Sequence, residues 1–352
     1  QIAFIAIDEA HCISAWGHDF RPEYRGLRQL RDVFPDVAMH GYTATATQAV
    51  RDDIAVQLGL RDPAVLVGDF RRKNLQYHGG RRQLVLTRFP GFFDRFRGDS
   101  GIVYAITRRE VEQTATALQQ MGYAALPYHA GLTDQERTRH QNAFLAEQVD
   151  CMVATVAFGM GIDKSNVRYV IHIGMPKSLE NYQQESGRAG RDGVEAECWL
   201  IYSPGDSMTW RRMMSDLPPE ALKSAEQSLD AIEAYVTSVT CRHRPLVEHF
   251  GLTWNDGPCN ACDVCLDQLE TVADSQVIGQ KILSCVLRVN EKFGAAHVAN
   301  VLAGSSEQRI VDRGHHELST WGLLKEFRKR DIRTWIDQLV GQGFLAKESE
   351  YH

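Results

Sequence analysis

Three cysteines, Cys259, Cys262 and Cys265, stand in a C-x-x-C-x-x-C run, and Cys241 lies a short way upstream. Thiolates spaced this closely are metal ligands. Zn2+ takes four nitrogen or sulfur donors in a tetrahedron, and a shell closed entirely by protein makes the metal structural. Cys241, His243 and His249 compete for the fourth position, and an iron–sulfur cluster draws on the same donors. Binding energy at such a site is folding energy, so losing the metal should unfold the segment around it. A second signal opens the chain, where the apolar run Ile2–Ile7 ends in Asp8 and Glu9, with His11 three residues after the aspartate. A nucleotide hydrolase needs one acid at a strand end to hold Mg2+ and a neighbour to orient or deprotonate water. A third is the glycine-rich stretch from Gln184 to Gly193, which sets Arg188 and Arg191 three apart, on one side of a helical turn. Guanidinium groups suit a developing phosphoryl charge because their donors are planar and their charge is permanent.

These groups need rigid elements behind them. The run Ile2–Ile7 reads as a fully buried parallel strand delivering its acids to the C-terminal sheet edge, where open α/β sheets bind ligands. Residues 1–68 read strand, loop, helix, strand, helix, strand, with Thr43 and Thr45 at a strand-to-helix junction where a hydroxyl can cap the helix or face a ligand. Residues from Phe70 to Gly98 read as a basic, then Gly/Phe-rich connector ending in a helix. A second α/β unit follows, with strands at Ile102–Ile106, Ala124–Tyr128, Cys151–Thr155, Tyr169–Ile173 and Glu197–Tyr202. Strands alternating with helices imply a doubly wound parallel sheet. After Cys151–Thr155 comes a glycine-rich turn in which Thr155 and the glycines, Gly161 among them, can approach phosphates of nucleotide or nucleic acid. His129 reads as a satisfied structural histidine. From Leu222 the pattern turns helical, and three short helices with a terminal strand near Gly343–Leu345 are consistent with a winged helix.

Composition bounds the rest. At 352 residues the chain holds two to four domains. No apolar run is long enough to span a bilayer. Net charge is −6, yet Phe70 to Arg82 carries five bases and no acid, and Lys325 to Arg333 five bases against two acids. Local basic patches of this kind can bind phosphates on an acidic protein. The four cysteines outside the cluster are scattered, which suits a reducing compartment and argues against a disulfide framework. Between Cys12 and Arg25 the residues Trp16, His18, Phe20 and Arg21 form a polar, turn-like setting for two rings. Exposed rings there can stack on unpaired bases at about 1–3 kcal/mol each, and Arg21 can add phosphate or cation–π contacts.

Taken in order, these stretches resemble the RecQ family of DNA helicases from Ile5 to about Phe344. The family's Asp-Glu-Ala-His box is Asp8–His11, its aromatic loop Trp16–Tyr24, its coupling motif Thr43–Ala46, and its late helicase motifs Thr155–Asp163 and Gln184–Gly193. The resemblance implies two tandem RecA-like parallel-sheet lobes, the first truncated (1–68 and 69–205), a helical zinc-binding subdomain (206–270) and a truncated winged helix (271–352). It implies ATP and Mg2+ in a cleft between the lobes, with Asp8, Glu9 and His11 at the hydrolysis centre. Asp8, Gly161, Asp163, Gln184, Arg188 and Arg191 would contact the nucleotide, the two arginines as fingers. Thr43 and Thr45 would couple hydrolysis to DNA. Trp16, His18, Phe20, Arg21, Thr155, Ser305, Gln308 and Arg309 would bind single-stranded and duplex-junction DNA. Cys241 becomes the fourth zinc ligand, because the family pattern is a lone cysteine followed by the triplet. Activity implied is 3′-to-5′ translocation and unwinding in DNA repair and recombination.

The chain departs from the family in three places. No G-x-x-x-x-G-K-[ST] occurs, so the P-loop is expected before Gln1, and these residues alone are expected to be inactive as an ATPase. Arg71 and Lys73 stand where the family more often has Asp and Pro, while Arg72 and Asn74 are expected to brace the lobes. The chain ends where a wing hairpin is expected. An RNA helicase of the same superfamily and a non-catalytic DNA-binding remnant are the rival readings.

Overall fold

The computed structural model describes residues 2–14, 17, 19–82, 89–159, 162–269 and 272–346. The chain forms two compact units, Gln1–Val236 with Cys241–Leu266, and Thr237–Thr240 with Asp267–His352.

In the first unit, strands β1 (Phe4–Ile7) and β2 (Ala38–Gly41) pair in parallel. Helix α1 (Gln29–Val33) and helix α2 (Gln48–Gln57) follow the two strands. Val50, Ile54 and Leu58 pack with Ile7, Ile13 and Met39 as one small core. The fully buried strand expected at Ile2–Ile7 is not observed. Among the described residues β1 has β2 as its one neighbour, so Phe4 stays 56% exposed while Ile7 is buried. Among the described residues the strand expected after α2 does not form, and Leu66 is 93% exposed.

The larger sheet is a six-stranded RecA-like parallel sheet. Its strands are β3 (Leu75–Arg81), β4 (Ser100–Tyr104), β5 (Ala125–Tyr128), β6 (Cys151–Ala154), β7 (Val167–His172) and β8 (Ala196–Tyr202), in spatial order β3-β8-β7-β4-β6-β5. Period-two alternation sorts its side chains. Ile102, Tyr104, Met152 and Ala154 face one core, while Val103 and Val153 face another with Val111, Ala115 and Leu118. Those last three recur at helical spacing on α4 (Arg108–Gln120), behind α3 (Phe89–Arg95). Thr107 starts α4 with a capping box to Glu110, a device worth about 1 kcal/mol. Thr133 and Glu136 do the same for α5 (Asp134–Leu145). Strand β3 lies inside the stretch expected to be a connector. Its Gly79-Gly80 pair and five flanking bases hide the alternation, yet Leu75 and Tyr77 are fully buried.

Helices α6 (Leu179–Ser186), α7 (Pro204–Met213), α8 (Pro219–Thr237) and α9 (His243–His249) follow. Leu229, Ile232, Tyr235 and Val236 of α8 enter the same core as Tyr77 and Tyr104. So does Cys262, and the cysteine segment then runs along the open side of β3. Tyr77 N donates to Ala261 O at 3.1 Å and Asp263 N to Tyr77 O at 3.0 Å. A sheet edge otherwise left with unpaired N–H and C=O groups is thereby closed. Beneath it, Asp263 accepts from Arg242 Nε at 2.9 Å and from Gly79 N at 2.8 Å, with both charged side chains about 5% exposed.

The second unit contains α10 (Ser275–Arg288), α11 (Ala295–Leu302), α12 (Gln308–Val311) and α13 (Lys329–Gly341) around Ile282, Val298, Leu302, Leu324 and Ile336. No strand forms among its described residues, including those from 343 to 346 where one was expected.

Removing one partner of a buried ion pair leaves the other charge uncompensated, at a cost of about 3–5 kcal/mol. Arg242→Met should therefore lose about that much stability in urea unfolding, because Asp263 stays buried with only backbone donors. A loss below about 1 kcal/mol would show that Asp263 is solvated rather than paired.

Candidate functional site

The turn after β1 puts Glu9 in the left-handed region (φ 49°), an uncommon conformation for a residue with a side chain. Its amide donates to Asp8 Oδ1 at 2.8 Å. The short turn Ala10–Ile13 then buries His11, which is 2% exposed. His11 Nδ1 lies 2.9 Å from Thr43 Oγ1 and 3.3 Å from Glu9 Oε2. Thr43 Oγ1 is in turn bonded to the amide and carbonyl of Thr45. One imidazole therefore joins the acid turn to the threonine loop. Burial pulls the His11 pKa below its usual value, against the raising effect of Glu9 and Asp19. Glu9 Oε2 and Thr45 Oγ1 are buried atoms without a hydrogen bond, as expected of groups waiting for a ligand or water.

Beyond the turn, Arg21 Nη2 donates to Asp19 Oδ2 at 2.6 Å and Arg21 N to Cys12 O at 2.8 Å. Phe20 is 36% exposed, with the Arg25 guanidinium 4.9 Å from its ring centre. Trp16, His18 and Gly161 lie outside the described residues. Ligand atoms of His11, Cys12 and Asp19 cluster within 4.8 Å. The Asp19 carboxylate already carries the Arg21 cation, and burial holds the Cys12 thiol up at about 11, so no metal centre is read there.

In the second lobe α6 ends at Ser186, and the two arginines sit on successive turns after it. They differ in environment. Arg188 is 7% exposed, and its guanidinium lies so close to Gly159 that a Cβ there would come within 2.5 Å of Nη2. Its Nε has no hydrogen bond. Arg191 is half exposed and reaches Asp163 Oδ1 at 3.2 Å and Ile162 O at 3.5 Å. Both arginines thus grip the stretch that begins at Thr155, with Tyr104 Oη fixing its Phe158 carbonyl at 2.8 Å. Thr155 and Gln184 are half-buried.

Arg72 and Asn74 hold this arginine turn. Arg72 donates to the carbonyls of Gly187, Ala189 and Gly190, at 2.8 to 3.3 Å, and Asn74 Nδ2 to those of Gly190 and Val194. Gly190 has φ 55°, and a Cβ there would meet Asn74 Nδ2 at 2.5 Å. The expected bracing of the lobes is therefore, in these contacts, a bracing of one turn of the second lobe. His129 is satisfied as expected, between Glu112 Oε1 at 2.7 Å and Gly131 N at 3.1 Å.

The four sulfurs of Cys241, Cys259, Cys262 and Cys265 lie within 4.8 Å of one another. Tetrahedral bonds of about 2.3 Å need that proximity. Backbone amides of Arg242 and Cys265 point at Cys262 Sγ, and that of Ala261 at Cys259 Sγ, which favours thiolates. His249 is removed from the contest by Glu180, 2.6 Å from its Nε2, and His243 packs edge-on to Tyr77.

In the second unit, Ser305 Oγ accepts from Lys329 at 3.1 Å and Gln308 Nε2 donates to Asp312 at 2.6 Å. Both hydrogen bonds lie at exposed positions within the unit. Arg309 is exposed.

Three family models match the chain in tandem: a helicase conserved C-terminal domain over residues 84–193, a RecQ zinc-binding domain over 204–266, and an RQC domain over 270–352. The chain belongs to the RecQ family of helicases. It is 42% identical to the ATP-dependent DNA helicase RecQ of Haemophilus influenzae, over 99% of this chain and 56% of that protein. It is 38% identical to the Bacillus subtilis protein of the same name, over 98% and 58%. With the mouse bifunctional 3′-5′ exonuclease/ATP-dependent helicase WRN it shares 35% identity, over 99% and 27%. The chain therefore spans a little over half the length of the bacterial relatives. No helix among the described residues is long and apolar enough to cross a membrane.

In this RecQ-family chain the cysteine cluster supports a structural zinc. Sequence reasoning missed β3, whose Gly79-Gly80 pair and flanking bases mask its alternation, while it did single out Arg72 and Asn74 at its start.

Cys262→Ser should cut bound zinc from about one per chain to none and lower the thermal midpoint, whereas His243→Ala should keep the metal. Metal retained by Cys262→Ser would refute the four-cysteine shell. For the clasp, Arg72→Ala should speed amide exchange across residues 187–194 and cost about 1.5–3 kcal/mol. Arg72→Lys should rescue it poorly, since an ammonium lacks the planar fork. Unchanged exchange in both variants would rule the clasp out.

Proposed function

We propose that this chain is the body of a RecQ-type, ATP-dependent DNA helicase that moves 3′ to 5′ along one strand and unwinds the duplex ahead of it. The observation that carries this reading is the His11–Thr43 contact of 2.9 Å, which ties the acid turn to the threonine loop. In this reading Asp8 would hold the Mg2+ of the nucleotide through water, and Glu9 would orient the attacking water. Arg191, with Arg188 behind it, would meet the charge that develops on the transferred phosphoryl group. Gln184, Asp163 and Gly161 would line the same cleft. A change at Asp8 or Glu9 would pass through His11 to Thr43 and Thr45, and from Cys12 and Asp19 to Phe20 and Arg21. There Trp16, His18 and Phe20 would stack on or flank unpaired bases, and Thr155 would touch the backbone. The RQC unit would meet the duplex at the junction through Ser305, Gln308 and Arg309. The relatives' names as DNA helicases support DNA over RNA as the substrate. A role in repair and recombination, on the bacterial nucleoid in the cytoplasm, fits a DNA motor of this type.

The 352 residues contain no G-x-x-x-x-G-K-[ST]. A polypeptide of these residues alone should therefore bind single-stranded and junction DNA but turn over ATP negligibly. DNA-stimulated turnover by that polypeptide would overturn the assignment of half a site to it. Joined to a P-loop lobe, the chain should unwind a 3′-tailed DNA duplex, and Arg191→Ala should lower kcat about 10³-fold or more. Unwinding of RNA but not DNA would favour the RNA-helicase reading, and DNA binding without any turnover the non-catalytic one.

A further inference from the structure

The end of α9 touches both lobes of the first unit. Its last residue, His249, places Nε2 2.6 Å from Glu180 Oε1 on α6, with side chains 23% and 13% exposed. The next carbonyl, that of Phe250, accepts from Arg51 Nη1 of α2 at 3.1 Å. One helix end therefore carries a contact to α2 on one side and to α6 on the other.

Both contacts have local causes. The last carbonyls of a helix lack intrahelical partners and carry partial negative charge, so a guanidinium suits them. The chain leaves α9 through Gly251 in the left-handed region (φ 81°), and a Cβ there would lie 3.3 Å from Arg51 Nη2. Glycine thus both ends the helix and lets the arginine approach. Arg51 is pinned from its own side as well: Nη1 donates to Ala46 O at 2.8 Å and Nη2 to Gln48 Oε1 at 2.7 Å. Ala46 follows Thr43 and Thr45 in one loop, so the guanidinium spans from that loop to α9. Phe250 is fully buried and stacks on Phe70, with ring centres 4.7 Å apart and 19° between the planes. Phe70 lies on the chain that leads from α2 to β3. On the other side, Glu180 sits in the first turn of α6, the helix that ends at Ser186 and runs straight on to Arg188 and Arg191. A helix is a rigid element, so a displacement at Glu180 is carried to the arginine turn. Neither Arg51 nor His249 is assigned above to nucleotide, DNA or metal.

We propose that Arg51 and His249 are positioning residues that use the end of α9 as a strap between the threonine loop of the first lobe and the arginine helix of the second. The strap sets how a change at Thr43 and Thr45 reaches Arg188 and Arg191, by a route other than the nucleotide cleft. Its role in coupling DNA to hydrolysis rests on the helicase reading above; the strap itself does not.

The zinc-loaded chain is compared with Arg51→Ala, His249→Ala, their double variant, and His249→Gln, whose amide can still donate to Glu180. Arg244→Gln is the control, since Arg244 lies on the same helix and pairs with Glu248 at 2.9 Å on its exposed side. In the first arm amide exchange is read across the strap. Arg51→Ala should speed exchange of residues 180–190, and His249→Ala that of residues 43–47, each about threefold or more. His249→Gln and Arg244→Gln should match the wild type. Faster exchange only on the side of the substitution, or none at all, overturns the strap. Should Arg51→Ala not fold, Arg51→Lys, which reaches one carbonyl rather than two, replaces it with the same far-side expectation. In the second arm the chain is joined to a P-loop lobe, and ATP turnover is measured without and with single-stranded DNA. Both alanine variants should keep the DNA-independent rate and lose about fivefold of the stimulation by DNA. The double variant should lose no more than the worse single, because cutting a strap twice equals cutting it once. Losses that multiply would mark two independent effects and overturn the proposal. If the joined wild type shows no DNA-stimulated turnover, the helicase reading fails, and the exchange arm still decides the strap.

Discussion

The open edge of β3 is the constraint on which the helicase lobe depends. An edge strand presents a row of unpaired amides and carbonyls, and proteins must cover it. Here the covering segment is the cysteine loop, which takes the amide and carbonyl of Tyr77. A loop whose own shape is set by four converging thiolates is thereby made part of a sheet. The same strand begins just after Arg72 and Asn74, whose donors fix the carbonyls of the arginine turn. Metal ligands, sheet edge and arginine turn form one continuous mechanical path. Each step is short and local, so the geometry of the metal loop is carried to the arginine turn.

Arginines in this unit meet burial in two opposite ways. Arg242 is dry but paired, its charge set against Asp263 and further hydrogen-bonded to Tyr235 O at 3.1 Å. That arrangement holds the zinc segment against α8 and β3 and leaves no capacity for a ligand. Arg188 is almost as buried, yet its Nε is unbonded and its guanidinium rests against a glycine. Desolvating a cation is costly, and an incompletely bonded one lowers stability unless something else is gained. Local rules are broken where function is built. The left-handed Glu9 and its unbonded Oε2 belong to the same class, at the other lobe.

Much of this was legible in the chain, and the failures have physical causes. The cysteine spacing identified a metal shell outright, because few other structures need thiolates at that interval. Strands β4, β6, β7 and β8 were readable as apolar runs since both faces of a parallel sheet are buried. Strand β3 was not, because at Gly79 the space of a side chain is filled by Arg242 from another segment, 3.0 Å from where a Cβ would be. Ile2–Ile7 looked fully buried for the converse reason: hydrophobicity reports what a strand can bury, while burial depends on which neighbours lie beside it. Arg188 and Arg191 were visible as a pair, but the split between a buried and a half-exposed member depends on Gly159, remote in sequence. The acid turn was legible as chemistry, while its link to Thr43 through His11 needed the fold to bring residues 32 apart together.

Net charge misleads in a chain of this kind. The total of −6 argues against a polyanionic partner, but charges further apart than a Debye length of about 8 Å hardly sense one another at physiological salt. What a phosphate experiences is the local set. In the second unit Glu307 pairs with Lys329 at 2.9 Å. The same sorting occurs in the first unit, where Asp163 and Asp19 pair with Arg191 and Arg21. Those arginines carry exposed counter-charges that an incoming phosphate could displace.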